Sequence, residues 1–255
     1  DYTSAQTVPS VTVSLTDNDA AAVIFSSTLL QTTESGSSTT LGVRLASEPS
    51  AAVAVTLTGL NALEGTLSTS VVNFTTVNWA SQQDVTVTGV NDAIDDGNIS
   101  YVLTGTASGA AEYVGLTNTV IVTNTDDDTV GIEVLDSSDV LLTSALTTTE
   151  LGGTAVFHMR LTSKPTQDVI ISLLSSDPGE GTISPSSLTF TSANWNLPST
   201  HVVTITGQSD LQADGDVSYS VITEVASSTD VLYQGLNAAN VSVVNTDNIL
   251  LNRAG

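Results

Sequence analysis

The stretch Thr119-Val120-Ile121-Val122-Thr123-Asn124-Thr125-Asp126-Asp127-Asp128 holds the two signals on which the fold turns. Its first five residues are all β-branched and alternate valine with its neighbours. That period of two is the mark of a strand with one buried face. The run then ends in three consecutive carboxylates. A second strand-like run, Thr129-Val130-Gly131-Ile132-Glu133-Val134, starts directly after them. The acidic triplet is therefore predicted between two strands, near the middle of the chain. Carboxylates this close repel one another, so either water solvates them or a cation neutralises them.

Composition favours the cation. The 255-residue chain carries 27 acidic and 4 basic residues, a formal net charge of −23. Nucleic acid and anionic membranes, which want a basic surface, are poor partners for it. There is no cysteine, which removes disulfides, thiolate metal sites and cysteine nucleophiles. Two histidines, His158 and His201, do not make a histidine-rich transition-metal site. No apolar run reaches the length of a membrane span. The opening Asp1-Tyr2-Thr3 reads as the start of a mature piece, or of a fragment of something longer. Threonine, serine and valine are abundant, and the Lys and Glu that coat helices are scarce. The expectation is an all-β chain.

An internal repeat organises it. Glu64-Gly65-Thr66 recurs as Glu180-Gly181-Thr182, Asn78-Trp79 as Asn194-Trp195, and Ser100-Tyr101 as Ser218-Tyr219. Gly89 recurs as Gly207, Tyr113-Val114-Gly115-Leu116 as Tyr233-Gln234-Gly235-Leu236, and Thr125-Asp126 as Thr246-Asp247. The offset is 116 residues early (64 to 180) and 121 late (126 to 247), a drift that small loop insertions explain. Tyr2, the run Val11 to Leu15 and Asp17-Asn18-Asp19 match the tail of a repeat whose body is missing. The predicted division is a terminal strand of a preceding or neighbouring repeat at 1–19, repeats at 20–126 and 127–247, and a tail at 248–255.

Each repeat contains short alternating segments. Leu41, Val43 and Leu45 are expected to face inward, as are Phe157, Met159 and Leu161 in the second repeat. The same pattern recurs in Val53/Val55/Leu57 against Val169/Ile171/Leu173, and in Val85/Val87 against Val203/Ile205. About seven such strands in 110–120 residues, separated by Gly, Pro, Asn, Asp and Ser, fit two antiparallel immunoglobulin-like β-sandwiches in tandem.

Acidic residues also recur at matched places. Glu34 pairs with Glu150, and Glu64 with Glu180. The loop Asn91-Asp92-Ala93-Ile94-Asp95-Asp96-Gly97 pairs with Ser209-Asp210-Leu211-Gln212-Ala213-Asp214-Gly215-Asp216. Asp17/Asp19, Asp126 to Asp128 and Asp247 end the three repeats. A single Asp-rich turn is ordinarily a solvated loop. Recurrence at four matched places points instead to loops that converge on a hard, oxygen-seeking cation, for which Ca²⁺ suits flexible carboxylate loops better than Mg²⁺.

This order resembles the Calx-beta family, the module of sodium/calcium exchanger regulatory domains, whose repeats also occur in large bacterial surface proteins. The resemblance rests on Thr33-Glu34-Ser35-Gly36 and Thr149-Glu150-Leu151-Gly152 near the repeat starts, an acidic residue ten before the Phe of a middle strand, the acidic loop and the terminal Asp cluster. It implies calcium ligands at one tip of each sandwich. In the first repeat these would be Glu34, Glu64, Asp92, the Ile94 carbonyl, Asp96, Asp126, Asp127 and Asp128. In the second they would be Glu150, Glu180, Asp210, the Gln212 carbonyl, Asp214, Asp216 and Asp247. The second repeat ends in one carboxylate where the first has three, which implies fewer or weaker ions there.

Trp79 and Trp195 are expected to plug the sandwich cores rather than to form a carbohydrate platform. Arg44 and Arg160 are expected in surface ion pairs, and the two histidines as ordinary strand residues. No catalytic set is visible. The expected function is a non-catalytic, calcium-binding region of a secreted bacterial surface adhesin or extracellular fibre, stiffened by Ca²⁺ at repeat junctions. Its partners would be neighbouring repeats or copies of the same protein. Two alternatives stand beside it: a filament subunit joined by β-strand addition of the N-terminal strand, and a carbohydrate-binding module.

Overall fold

Alternating branched residues bury one side of each segment and leave the other to Ser and Thr, so sheets must stack in pairs to cover their apolar faces. A computed structural model describes residues 10–16, 18–209, 212 and 214–247. Its contacts divide the chain into two units. Among the described residues, unit 1 takes those up to Val90 together with Ile99–Thr125. Unit 2 takes Asn91–Asn98 and those from Asp126 onward.

Unit 1 is built from β1 (Val23–Phe25), β2 (Leu29–Thr33), β3 (Ser38–Leu45), β4 (Val53–Thr58), β5 (Gly65–Leu67), β6 (Val71–Phe74), β7 (Gln83–Gly89), β8 (Ile99–Gly109) and β9 (Thr117–Thr125). They form a four-stranded sheet, β1-β3-β7-β5, and a five-stranded sheet, β2-β9-β8-β4-β6. The strands exceed the seven expected because two segments change sheet midway. β1 pairs antiparallel with β3, and β2 then runs parallel to β9. The switch falls at Ser27, whose hydroxyl donates to the Leu29 carbonyl at 2.6 Å. Likewise β5 pairs with β7 and β6 with β4. Leu41, Val43, Leu45, Val53, Val55, Phe74, Val85, Val87 and Leu103 fill the space between the two sheets, and Trp79 packs against that core.

Unit 2 repeats the plan with β10 (Ile132–Leu135), β11 (Leu146–Thr149), β12 (Thr154–Leu161), β13 (Val169–Ser175), β14 (Gly181–Ser184), β15 (Ser187–Phe190), β16 (Val202–Gly207), β17 (Val217–Thr223), β18 (Ser227–Ser228) and β19 (Val241–Thr246). Its sheets are β10-β12-β16-β14 and β11-β19-β17-β13-β15, with β18 on β13. Phe157, Met159, Leu161, Phe190, Val203 and Ile205 lie in its core, with Trp195 against them. The chain is thus all-β, with two immunoglobulin-like sandwiches.

A tyrosine locks the same corner in each unit. The Tyr113 hydroxyl donates to the Ser47 carbonyl at 2.7 Å and accepts the Ser47 N–H at 3.1 Å. Tyr233 does the same with Ser163, at 2.6 and 3.2 Å.

Four sequence expectations are modified. The run predicted from Thr129 becomes a strand only at Ile132, because the Val130 N–H is held by the Asp95 carboxylate at 2.7 Å. Ser10 to Thr16 pair with no strand among the described residues, and Val11, Val13 and Leu15 are 84 %, 75 % and 92 % exposed. Arg160 pairs with Glu133 at 2.6 Å as expected, whereas Arg44 makes no ion pair among the described residues. His201 is buried and stacks on Phe190 with ring centroids 4.0 Å apart, while His158 pairs with Asp139 at 2.6 Å. Residues 1–9, Asp17 and the 248–255 tail lie outside the described residues. No helix among the described residues is long and apolar enough to cross a membrane.

Candidate metal centre

The loop Asn91–Asn98 leaves β7 and returns to β8, yet its contacts are those of unit 2. Short local bonds curl it. Asp92 Oδ1 accepts the Ile94 N–H at 2.7 Å, and the Ile94 carbonyl accepts the Asp96 N–H at 2.8 Å. That carbonyl retains a second lone pair for another donor or a cation. Gly97 sits at φ +75°, a conformation that residues with a Cβ rarely adopt. The turn aims the Gly97 N–H at Asp126 Oδ2, 2.8 Å away. Asp126 Oδ1 accepts the Asp128 N–H at 2.8 Å, and the Asp126 N–H donates to Asn98 Oδ1 at 3.0 Å. The Ala93 carbonyl accepts the Lys164 N–H at 2.6 Å. Backbone donors thus pin the loop to the segment Asp126 to Val130 and fix Asp95 and Asp126.

The electrostatic result is concentrated on Asp128. Its burial, and then the charges of Asp126, Asp127, Asp92 and Asp95, push its carboxyl above the ordinary carboxylate value. Its Oδ2 is buried without a hydrogen-bond partner among the described residues. A buried acceptor left unsatisfied costs about 1–3 kcal/mol. A cation at that oxygen would satisfy it and reverse the repulsion that raises the pKa. The neighbouring groups are all oxygen donors, the carboxylates of Asp92, Asp95, Asp126, Asp127 and Asp128. Such a set fits Ca²⁺, which takes six to eight hard ligands, and does not suit a metal that selects sulfur or imidazole.

Glu34 and Glu64 belong to unit 1. Glu34 is buried, and its N–H donates to the Thr125 carbonyl at 2.9 Å. Glu64 is also buried, in a polar network absent from the sequence reading. The Asn124 side chain donates to Glu64 Oε2 at 3.3 Å and to the Val90 carbonyl at 2.9 Å, and accepts from the Thr32 hydroxyl at 2.9 Å. Burial and then Glu64 raise the pKa of the neighbouring Tyr101 phenol. A side chain at Gly65 would collide with the Tyr101 hydroxyl, and one at Gly89 with the Thr33 carbonyl. Recurrence of Asn124 as Asn245 was the available signal for this network. Asp95, also not expected as a site residue, is the carboxylate that holds Val130.

Unit 2 carries the matching arrangement in reduced form. The Gly215 N–H donates to Asp247 Oδ2 at 3.1 Å, and the Asp247 N–H to Asp216 Oδ1 at 3.2 Å. Asn245 donates to Glu180 Oε2 at 3.1 Å, and its Oδ1 accepts from Thr148 at 3.0 Å. The Glu150 N–H donates to the Thr246 carbonyl at 3.2 Å. Glu150 and Glu180 are buried, whereas Gln212, Asp214 and Asp216 are exposed. Asp210 lies outside the described residues.

No family model matches the chain, and no curated protein matches it. Solved structures do. CBD12 from CALX1.2 is 13 % identical, with 89 % of this chain and 99 % of that one covered and a TM-score of 0.39. The calcium binding domain CBD12 of CALX1.1 is 13 % identical over 88 % and 99 %, again with a TM-score of 0.39. The E. coli chaperone DraB is 9 % identical over 88 % and 98 %, with a TM-score of 0.33.

Proposed function

We propose that this chain is a non-catalytic structural region of a secreted bacterial surface protein, an adhesin or extracellular fibre, stiffened by Ca²⁺. The observation that carries the reading is the buried, unpartnered Oδ2 of Asp128 among four further carboxylates. The ligands of the first site are Asp92, the Ile94 carbonyl, Asp96, Asp126, Asp127 and Asp128, with Glu34 and Glu64 as the resemblance to Calx-beta repeats implies. Glu150, Glu180, Asp210, the Gln212 carbonyl, Asp214, Asp216 and Asp247 form a weaker counterpart. The loop Asn91–Asn98 is covalently held by β7 and β8 of unit 1 but makes its contacts in unit 2. An ion that fixes this loop therefore restrains the passage from one repeat to the next. At free Ca²⁺ of ~100 times Kd, each independent site adds roughly 2.7 kcal/mol to the folded state. Small-angle scattering with and without chelator tests the mechanism: the particle should become longer and less flexible with Ca²⁺, and an unchanged profile overturns it.

A second reading has its own observation. Val11, Val13 and Leu15 alternate, are exposed and pair with no strand among the described residues. Such a segment can complete a neighbouring subunit by strand addition. Deleting residues 1–19 should then abolish assembly, and assembly that persists removes this reading. Carbohydrate binding has no comparable support, since Trp79 and Trp195 pack against the two cores.

A further inference from the structure

The outer face of the five-stranded sheet of unit 1 has a feature that neither the fold nor an ion site requires. Leu29, Ile121 and Val102 stand in register on β2, β9 and β8. They are 64 %, 42 % and 47 % exposed, an unbroken aliphatic row across three strands. On one side runs the row Gln31, Thr123, Ser100, and on the other Thr119, Thr104, Thr58. None of the five strands contains an Asp, Glu, Lys, Arg or His, in a chain of net charge −23. The corresponding sheet of unit 2 is equally uncharged, but Ser220 and Ser242 stand in register where unit 1 has Val102 and Ile121. Its exposed Leu174 has only Ile222 beside it, a row of two strands. The three-strand row is therefore a property of unit 1 and not of the sandwich.

We infer that this face is a self-association surface that receives the same face of a second copy of the chain. Charge selects the occupant. Two copies repel wherever their carboxylates meet, so a like-charged molecule can approach closely only over a surface that has none. Size agrees. The five strands hold 5, 9, 11, 6 and 4 residues, which at about 3.3 Å each and strands about 4.8 Å apart present roughly 550 Å². Two copies would bury about 1,100 Å² between them, the size of a weak, concentration-dependent interface. The chemistry agrees as well, since two β-branched sheet faces stack in each sandwich of this same chain. The interface is isologous, with Ile121 near its centre and the hydroxyl rows around it.

Sedimentation velocity on the full chain, over a concentration series and in both Ca²⁺ and chelator, tests this. The wild type should shift from monomer to dimer with concentration, and more readily at higher salt, which screens the residual repulsion. Ile121→Glu should weaken dimerisation more than about a hundredfold, because each copy would bury an unpaired charge. The paired replacement Val102→Thr with Ile121→Thr keeps strand formers in place and should weaken it too. Ser242→Glu, the matched change in unit 2, should leave it unaltered. Melting curves of each variant confirm folding. A wild type that stays monomeric throughout overturns the inference, as does an Ile121→Glu variant that dimerises like wild type. The surface does not depend on calcium, so failure of the ion reading alone leaves the dimer intact.

Discussion

Asp126 accepts the backbone N–H of Gly97 at 2.8 Å, and through that bond the chain's acidic loop is held to its acidic linker. Asp126 is thus an anchor of the loop. Asp127 and Asp128 have no such bond through their carboxylates among the described hydrogen bonds, which separates two roles within one triplet. Replacing only Asp127 and Asp128 with Asn should leave the loop in place but abolish the response to calcium. In the wild type, Ca²⁺ at ~100 times Kd should raise Tm by roughly 5–10 °C. In the double variant that rise should vanish while the calcium-free Tm does not fall. Differential scanning calorimetry in Ca²⁺ and in chelator reads both numbers.

Asp128 gives the sign of the effect without metal. Burial and four neighbouring carboxylates raise its folded-state pKa above the unfolded value. A raised carboxyl pKa stabilises the fold only below the unfolded pKa, and that contribution is lost as pH rises through the folded one. At neutral pH the ionised group is a net cost to the calcium-free protein. In chelator, Asp128→Asn should therefore melt higher than wild type at pH 7. The gap should close on acidification as the wild-type carboxyl takes up its proton. A calcium-free variant that melts lower than wild type at pH 7 would refute this account of the cluster.

The inward faces were legible because they depend on a period of two: Leu41, Val43 and Leu45, or Phe157, Met159 and Leu161, need no tertiary information to be placed. The recurrence of Tyr113 and Tyr233 was legible too, though not the backbone of Ser47 and Ser163 that they hold. What sequence did not reveal was non-local. Loop Asn91–Asn98 lies within the first repeat in sequence, and only its contacts show that it packs with unit 2. Asn124 was not singled out among the residues ahead of the acidic run. Its position on β9, with the side chain turned inward to Glu64, depends on a register set by β8.

That inward Asn124 should be costly to remove. Asn124→Ala takes the partner from Glu64, from the Val90 carbonyl and from the Thr32 hydroxyl at one stroke. With a buried carboxylate left behind, the expected loss is roughly 2–4 kcal/mol. Urea denaturation followed by the fluorescence of Trp79, with Trp195 replaced by Phe, would report it for unit 1. Asn245→Ala should do the same in unit 2. A loss below about 0.5 kcal/mol in both would mean the network adds little beyond packing.

Asp230 offers a pH test far from the acidic loops. Burial alone would raise its pKa, but hydrogen bonds from Thr166, Leu232 and Tyr233 outweigh burial and hold it below the ordinary carboxylate value. Its Oδ2 accepts the Thr166 N–H at 2.7 Å and the Thr166 hydroxyl at 2.8 Å, and its Oδ1 the Leu232 N–H at 3.0 Å. For a depressed pKa the stability is present above the unfolded value and lost as pH falls through the folded one. Asp230→Asn should therefore cost about 1–2 kcal/mol at pH 7. The difference from wild type should shrink only below about pH 4, where the wild-type carboxylate is titrated as well. Its counterpart Glu112 makes comparable bonds to Ser50 from an exposed position, at 2.5 and 2.9 Å. Water competes there, so Glu112→Gln should move Tm less than Asp230→Asn does. Equal shifts for the two variants would show that burial of Asp230 does not strengthen its bonds to Thr166.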